Sequence, residues 1–233
     1  MATARVPGIE LKLSRILLTS TLCTLAGVRV AFIGTRGVPP SYSGFETAVN
    51  EIGRRMVELG HEVTVFCRTS HFPTGERPES HLGMHLVYLP AVRQKHLETI
   101  SHSALSGARL PAGSAVVCMG VGNAPVVRLL ELAGRRTVFN VDGADWQRAK
   151  WGGFASRYLR ACEKLAAGGR SLLIADAAAV ESYYRTEYGR ATHPVPYGAD
   201  PPTDTGTETI ATFGLTHLGD RRGVDRRGPE TAP

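Results

Sequence analysis

Residues Ser41–Val65 read SYSGFETAVNEIGRRMVELGHEVTV, which predicts a turn, an amphipathic helix and a strand in succession. Apolar side chains recur at helical spacing across residues 45–57, so the helix would present one apolar stripe to a sheet. Ser43 and Glu46 have the spacing of a capping box, and Gly60 is typical of a helix end. A helix held between two apolar strands in this way is the repeating unit of an α/β fold.

The same alternation of apolar runs and helical patterns continues along the chain from Val28. It predicts parallel strands joined by crossover helices, and the near-continuous apolarity of the runs favours a sheet covered on both faces. We expect strands at VRVAFIG, HEVTVFC, HLVYL, SAVVCM, RTVFNV, SLLIAD and THPVP. The predicted fold class is therefore α/β, a doubly wound, Rossmann-like parallel sheet spanning residues 28–201.

Three further helices are predicted from capping signals and apolar stripes. One runs from Ala124 to Ala133 with Asn123 as its cap and Gly134 as its stop, and its exit ELAGRRTVF echoes ELGHEVTVF, as two successive αβ units would. Another carries a stripe of Phe154, Tyr158, Ala161, Cys162 and Leu165. The last is expected to be capped by Asp176 and to stop at Gly189.

The two ends of the sequence differ from this pattern. In residues 1–27 a mildly apolar run follows Lys12 and Arg15, but it is short and rich in threonine, so we expect a loosely ordered extension, with an interfacial anchor as the alternative. Residues 202–233 end in arginine–glycine sequence without an apolar cluster, which predicts a disordered tail. Interleaved acidic residues argue against a tail that binds nucleic acid.

Composition sets broad limits on function. A hydrophobic fraction of 42% is ordinary for a globular protein, and the net charge of +6 with a pI near 9.4 suits phosphate-bearing ligands, nucleic acid or an anionic membrane surface. The four cysteines are scattered, which favours neither a zinc site nor a disulfide framework and is typical of a reducing cytoplasm. His81 and His85 have a helical metal-site spacing, but Gly83 interrupts them. No metal or cofactor is expected.

The first candidate site is the junction FIGTRGVPPSYSGFET. It lacks the G-x-G-x-x-G fingerprint of nicotinamide enzymes and is longer than a plain connection. Arg36 and the helix start at Ser43, Gly44 and Glu46 would lie at the carboxyl edge of the first strand, where a helix N-terminus can meet an anion. On the alternative interpretation the glycines only shape a turn.

Two other segments follow predicted strands. In FNVDGADWQRAKWGG, Asp142 and Asp145 could orient sugar hydroxyls, Trp146 and Trp151 offer flat apolar faces, and Arg148 and Lys150 could meet phosphate. Alternatively the tryptophans pack and the charges are solvated. In GVGNAP, residues Gly122 and Asn123 could approach a ligand or only form a turn and a cap. No G-x-S-x-G elbow or P-loop is present.

Five blocks together carry a family resemblance: VAFIGTRGVPPSYSGFETAVNEIGRRMVELGHEVTVFCR, LPAVRQKHLETISHSALS, GVGNAP, NVDGADWQRAKWG and VPYGAD. They resemble the N-terminal domain of bacterial family 4 glycosyltransferases, in particular the rhamnosyltransferase-like group of surface polysaccharide assembly. The resemblance implies the GT-B architecture, in which two Rossmann-like domains face each other across a cleft. It also implies retaining transfer from a nucleotide sugar to a glycan or polyprenyl-linked acceptor at the inner membrane face.

The resemblance also assigns residue roles. Gly44 matches the glycine turn beside the donor diphosphate, although the family more often has two adjacent glycines there. Asp142 occupies the region of a catalytic-cleft His or Asp, and Trp146, Arg148 and Lys150 are expected to contact the acceptor. The donor would be deoxythymidine-diphospho-rhamnose or a uridine- or guanosine-diphosphate sugar.

Family members continue after the PYGA block into a donor-binding domain with paired glutamates, a motif that residues 202–233 do not contain. The first hypothesis is therefore an acceptor-side domain that needs a separate donor domain for transfer. The alternative is a truncated remnant that at most binds a ligand without catalysis. A nicotinamide oxidoreductase is disfavoured by the missing fingerprint.

Overall fold

An open sheet of eight strands organises the described part of the chain, which comprises residues 27–41, 43–94, 97–141 and 153–198 of a computed structural model. The strands are β1 (Arg29–Ile33), β2 (Glu62–Arg68), β3 (Ser80–His81), β4 (Met84–Leu89), β5 (Ala115–Met119), β6 (Thr137–Asn140), β7 (Leu172–Ala175) and β8 (His193–Pro194). The helices are α1 (Gly44–Glu58), α2 (Glu98–Gly107), α3 (Ala124–Leu132), α4 (Gly153–Ala167) and α5 (Ala178–Tyr188).

The strand order is β3-β4-β2-β1-β5-β6-β7-β8, and every neighbouring pair is parallel except β3 with β4. From β1 the chain first builds outward on one side through β2 and β4, then returns to place β5 on the other side of β1. The order therefore reverses between β1 and β5, where doubly wound sheets form their ligand crevice. The predicted fold class is confirmed.

Both faces of the sheet are covered, as the continuous apolar strands predicted. Along β1 the side chains alternate, so that Val30 and Phe32 pack with the α1 face while Ala31 and Ile33 pack with the opposite face. Helices α3, α4 and α5 contribute their buried residues to that second face. The predicted stripe of α1 is confirmed, because Ala48 and Val49 are buried and Phe45, Ile52, Met56 and Val57 pack against the core.

The predicted ends of α1 and α3 are confirmed in detail. Gly60 donates its N–H to Val57 O at 2.9 Å, and Gly134 donates to Glu131 O at 3.1 Å. The N–H of the next residue also donates back into the helix, from His61 to Met56 O and from Arg135 to Leu130 O. This second bond completes a Schellman motif in both helices. Both glycines have positive φ, +85° and +75°, a conformation that side chains with a Cβ rarely adopt.

Several local predictions are wrong. The N-cap of α5 is Ala177 rather than Asp176, because the backbone becomes helical one residue later than expected. Asn123 holds the cap position of α3, but its side chain makes no capping hydrogen bond and turns back to carbonyls of the preceding loop. Leu165 is 37% exposed rather than part of a buried stripe.

His81 and His85 lie on the antiparallel hairpin of β3 and β4, not on a helix. Both turn residues, Leu82 and Gly83, have positive φ, which closes the hairpin in two residues. His81 Nε2 lies 2.9 Å from Asn50 Oδ1 of α1, so this imidazole anchors the hairpin to the helix.

The structure also bears on metal binding, disulfide bonding and membrane insertion, which were considered from sequence. In the part of the chain that the structure describes, no group of three His, Cys, Asp or Glu side chains could hold a metal ion. Cys67, Cys118 and Cys162 are buried free thiols, and burial raises the pKa of Cys67 to about 11. None of the described helices is both long enough and apolar enough to cross a membrane.

Candidate functional site at the strand-order reversal

The loops that follow β1 and β5 touch each other where the strand order reverses. Gly34 has φ +91°, and a Cβ at this position would lie 2.4 Å from Met119 O and 2.9 Å from Asn123 Nδ2. Only a residue without a side chain fits here, because the contact at 2.4 Å is with backbone. Gly34 therefore lets the two loops close the floor of the crevice.

The start of α1 forms one wall of this crevice. The Ser43 N–H donates to Glu46 Oε2 at 2.7 Å, so the predicted capping box is present. A Cβ on the neighbouring Gly44 would have no atom of the described residues within 4 Å, and its φ is not in the left-handed region. The fold therefore does not require glycine at position 44, and the space beside this helix N-terminus is open to a ligand.

The turn after β5 forms the second wall. Asn123 is 1% exposed, and its Nδ2 donates to Met119 O at 2.8 Å and to Gly120 O at 3.3 Å. Since carbonyls only accept, these bonds fix the amide orientation and leave Oδ1 as the free acceptor. No donor from the described residues reaches that oxygen. From α4, the Tyr158 hydroxyl donates to Gly122 O at 2.7 Å and holds the turn in place.

Two more buried polar atoms at this edge lack a partner among the residues described. They are Thr35 Oγ1, two residues after the end of β1, and Asn140 Oδ1, at the end of β6. Asn140 is paired in register with Met119 and donates through Nδ2 to Tyr197 OH at 2.9 Å. Buried acceptors without donors are uncommon in native proteins, and a neutral hydroxyl donor would satisfy them.

A charged cluster lies at the end of β2, on the other side of β1. Arg68 is 5% exposed; its NH2 group donates to Thr99 Oγ1 at 3.1 Å, and its NH1 lies 3.7 Å from Glu98 Oε2. Burial, with Arg36 nearby, lowers the pKa of Arg68. Burial and Arg68 also lower the pKa of His102 to about 4, so this imidazole is neutral at pH 7.

The carboxyl edge of the sheet is thus divided by chemistry. On the β2 side of β1 lie the cations and carboxylates of the Arg68 cluster, and Arg36 is tied to it because its carbonyl accepts from Arg68 N at 2.8 Å. On the β5 and β6 side the described residues contribute neutral amides and hydroxyls. The α1 N-terminus stands at the boundary between the two halves.

The structure brings together six of the residues predicted from sequence. Arg36, Ser43, Gly44 and Glu46 line the β1 side, and Gly122 and Asn123 line the β5 side. The predicted catalytic Asp142 lies outside the described residues, as do Asp145, Trp146, Arg148 and Lys150.

Sequence reasoning did not single out four residues of the site, namely Thr35, Arg68, Asn140 and Tyr197. A usable signal existed for two of them, because Arg68 and Asn140 are the polar last residues of apolar strands. In a parallel sheet such positions lie at the ligand-binding edge.

An open α/β sheet whose strand order reverses between β1 and β5 is the doubly wound, Rossmann-like class of architecture. Within it, residues 43–198 match the profile of the glycosyl transferase 4-like domain, which covers more than half of the chain. The chain belongs to this glycosyltransferase family.

Two solved plant structures are similar to the chain. "Phytolacca americana apo UGT2" aligns with 11% identity and a TM-score of 0.51, over 81% of this chain and 55% of that one. "Arabidopsis thaliana UGT89C1 complexed with UDP-L-rhamnose" aligns with 12% identity and a TM-score of 0.48, over 81% of this chain and 56% of that one. The chain thus spans about half the length of these structures. A comparison with curated protein sequences gives no significant match.

Proposed function

We propose that this chain provides the N-terminal, acceptor-side half of a nucleotide-sugar-dependent glycosyltransferase. The observation that carries the proposal is the family match over residues 43–198, which includes both the α1 start and the Gly120–Asn123 turn. The rhamnosyl group, the retaining stereochemistry and the role in surface polysaccharide assembly rest on the resemblance of the five sequence blocks. The proposed location is the cytoplasm, where buried free thiols remain reduced.

The donor diphosphate would approach the α1 N-terminus. Its N–H groups and peptide dipole favour an anion, and the open space at Gly44 allows close approach of backbone to phosphate. Ser43 and Glu46 would act indirectly, because their side chains are engaged in the capping box that orients this turn. Arg36 would supply positive charge from the β1 loop.

The described amides and hydroxyls of the β5 and β6 side suit hydroxyl groups. Asn123 Oδ1 accepts but cannot donate, so it would bind a sugar hydroxyl and disfavour a phosphate oxygen. Gly122 shapes the turn that carries it. Asp142, immediately beyond the last described residue of the β6 edge, would contact the sugar or the acceptor as the catalytic residue. Asp145 would orient sugar hydroxyls, and Trp146, Arg148 and Lys150 would recognise the acceptor.

Transfer itself requires more than this half. Both substrates must be aligned, and the diphosphate leaving group must be stabilised in a cleft from which water is excluded. We propose residues 28–201 as one domain of that cleft, flanked by an extension over 1–27 and a tail over 202–233, with a donor-binding domain as partner.

The experiment is a calorimetric titration of the purified chain with deoxythymidine-diphospho-rhamnose and with uridine- and guanosine-diphosphate sugars. We expect saturable binding of at least one of them. The binding should be lost in Gly44→Asp, because the added carboxylate would occupy the open space and repel the diphosphate. Gly44→Ala should fold normally and bind more weakly than wild type.

The matched control is Gly113→Asp, which adds the same carboxylate in open space before β5, at the opposite edge of the sheet. It should bind as the wild type does. If a folded chain binds none of the nucleotide sugars, the donor site does not lie on this half. If it binds but transfers no sugar when a family donor domain is added, the ligand-binding alternative is favoured over the enzyme.

A further inference from the structure

The segment after β8 returns across the carboxyl edge of the sheet to contact β6. Val195 N donates to Ala175 O at 2.8 Å, so the chain leaves β8 beside β7. Two residues later, the hydroxyl of Tyr197 accepts from Asn140 Nδ2 at 2.9 Å, which links this segment to β6 across β7. The family match ends at residue 198, so the bond lies at the end of the matched region. The proposed function gives neither Asn140 nor Tyr197 a role.

The sheet fixes the backbone of Asn140 on both sides. Asn140 is paired in register with Met119 of β5 and with Ile174 of β7, and the next residue, Val141, donates its N–H to Ile174 O at 3.0 Å. Asn140 is 2% exposed, and no described residue donates to its Oδ1. The side-chain amide is therefore the only part of this residue that is left to meet a ligand.

Tyr197 sets which amide atom of Asn140 is available. A phenol can accept from Nδ2 or, after a flip of the amide, donate to Oδ1. The Tyr197 hydroxyl accepts, so Oδ1 is the available atom. Such an oxygen binds a hydroxyl and disfavours an ionised phosphate oxygen, which only accepts.

The amide of Asn123 has the same character and lies beside the same residue of β5. Its Nδ2 donates to Met119 O at 2.8 Å, and its Oδ1 is likewise without a donor from the described residues. Asn123 and Asn140 thus place two buried acceptors of a single kind on either side of Met119. A group with neighbouring hydroxyls, such as a sugar ring, has the donors that this arrangement lacks.

We propose that Asn140 is a specificity-determining residue whose Oδ1 accepts a hydrogen bond from a sugar hydroxyl, and that Tyr197 is the positioning residue that keeps the amide in this orientation. The inference rests on the proposed function, because it takes the crevice to hold a sugar. A buried acceptor discriminates strongly, since a ligand without the hydroxyl leaves the oxygen unpaired. The hydroxyl belongs either to the donor sugar or to the acceptor, and the experiment separates these sources.

The test is a nuclear magnetic resonance titration of the isotope-labelled full chain with the methyl glycosides of rhamnose, glucose and galactose. The side-chain amide signal of Asn140, assigned by its loss in Asn140→Asp, should shift saturably with at least one of them. The amide of Asn50 on α1 is the internal control, because its Nδ2 lies 3.1 Å from Glu51 Oε1 and its Oδ1 lies 2.9 Å from His81 Nε2. Its signal should not move.

Two isosteric variants separate the acceptor from packing. Asn140→Leu removes the oxygen with little change in volume and should weaken glycoside binding about 10-fold, as followed by backbone signals. Asn140→Asp keeps an oxygen acceptor and should bind within about 3-fold of the wild type. Equal weakening in both variants would overturn the proposal, because packing alone would then explain the residue.

Tyr197→Phe tests the positioning role. It should weaken glycoside binding and also move the Asn140 amide signal in the free chain, because the amide loses its phenol partner. Tyr88→Phe is the matched control: it removes a phenol that donates to Pro78 O at 3.1 Å, on a strand separated from β6 by three others. This control should change neither quantity. If Tyr197→Phe also changes neither, the positioning role is wrong.

The outcomes also separate this inference from the proposed function. If nucleotide sugars bind and the Asn140 signal stays still with them and with every glycoside, the inference is overturned and the proposed function stands. If glycosides move the signal but no nucleotide sugar binds, the inference stands and the donor site does not lie on this half. A shift caused by a nucleotide sugar, but not by its nucleoside diphosphate, assigns the hydroxyl to the donor. A glycoside shift in the presence of saturating nucleotide sugar assigns it to the acceptor.

Discussion

At the scale of the residue, Gly34 is the position that the crevice constrains most tightly. A Cβ there would lie 2.4 Å from Met119 O, in addition to the strain of φ +91°. We expect Gly34→Ala to lower the free energy of unfolding by about 3 kcal/mol, because either the β1 loop or the β5 turn must move. Urea unfolding followed by circular dichroism measures this change.

Gly113 offers the matched comparison, since it has φ +73° but no described atom within 4 Å of an added Cβ. Gly113→Ala should therefore cost only about 1 kcal/mol, the strain of the backbone alone. Equal losses in the two variants would mean that strain, and not the contact between the loops, explains the glycine at position 34.

Among the residue-scale predictions made from local rules, the capping box of α1 is confirmed and the cap of α5 at Asp176 is wrong. The capping box of Ser43 and Glu46 depends on neighbours within one turn, and it is present. The partnerless oxygen of Asn123 was not foreseeable, because it results from two carbonyls that the fold brings to the same amide. Likewise, the burial of Arg68 depends on α2, whose contacts are long-range.

At the scale of the element, α1 and α3 end in the same way and should respond in the same way to mutation. Gly60→Ala and Gly134→Ala each place a side chain at positive φ in open space, so we expect each to lose about 1 kcal/mol of unfolding free energy. The corresponding asparagine variants should lose less, since asparagine tolerates this conformation better. Chemical denaturation of the four variants checks both points.

The two αβ units would be inequivalent if one alanine variant lost more than twice as much unfolding free energy as the other. The sequence echo between ELGHEVTVF and ELAGRRTVF predicted this equivalence, because both segments carry the same glycine signal before a strand. Helix α2 was not predicted, since its serines and His102 give no clear apolar stripe. It forms because tertiary contacts bury three of those polar residues, His102, Ser103 and Ser106.

At the scale of the whole molecule, the strand rhythm was sufficient to predict a doubly wound sheet, and the polar residues at strand ends then define the crevice. The short β3 was beyond reach, because a strand of two residues carries no periodic signal. Which polar strand ends are buried depends on strand order, and the sequence does not give that order directly. Arg68 and Asn140 became part of the site only once the neighbours of β2 and β6 were known.

The buried imidazole of His102 gives the whole domain a pH dependence. Burial and the nearby Arg68 lower its pKa from 6.5 to about 4, so between these values the unfolded chain binds a proton that the folded chain does not. Stability should therefore rise with pH across this window, at up to about 1.4 kcal/mol per pH unit. Below pH 4 both states are protonated, and this residue adds no further slope.

His102→Gln removes that titration while keeping a side chain of similar size. The free energy of unfolding of wild type minus that of the variant, measured with urea at several pH values, should increase from pH 4 to pH 6.5 and then level off. His85→Gln, at an exposed position of β4, serves as the control and should follow the wild-type profile. A difference curve for His102→Gln without slope would show that folding does not lower the pKa of His102. The imidazole beside Arg68 would then be protonated below pH 6.5, and the β2 side of the crevice would be one charge unit more positive at those pH values.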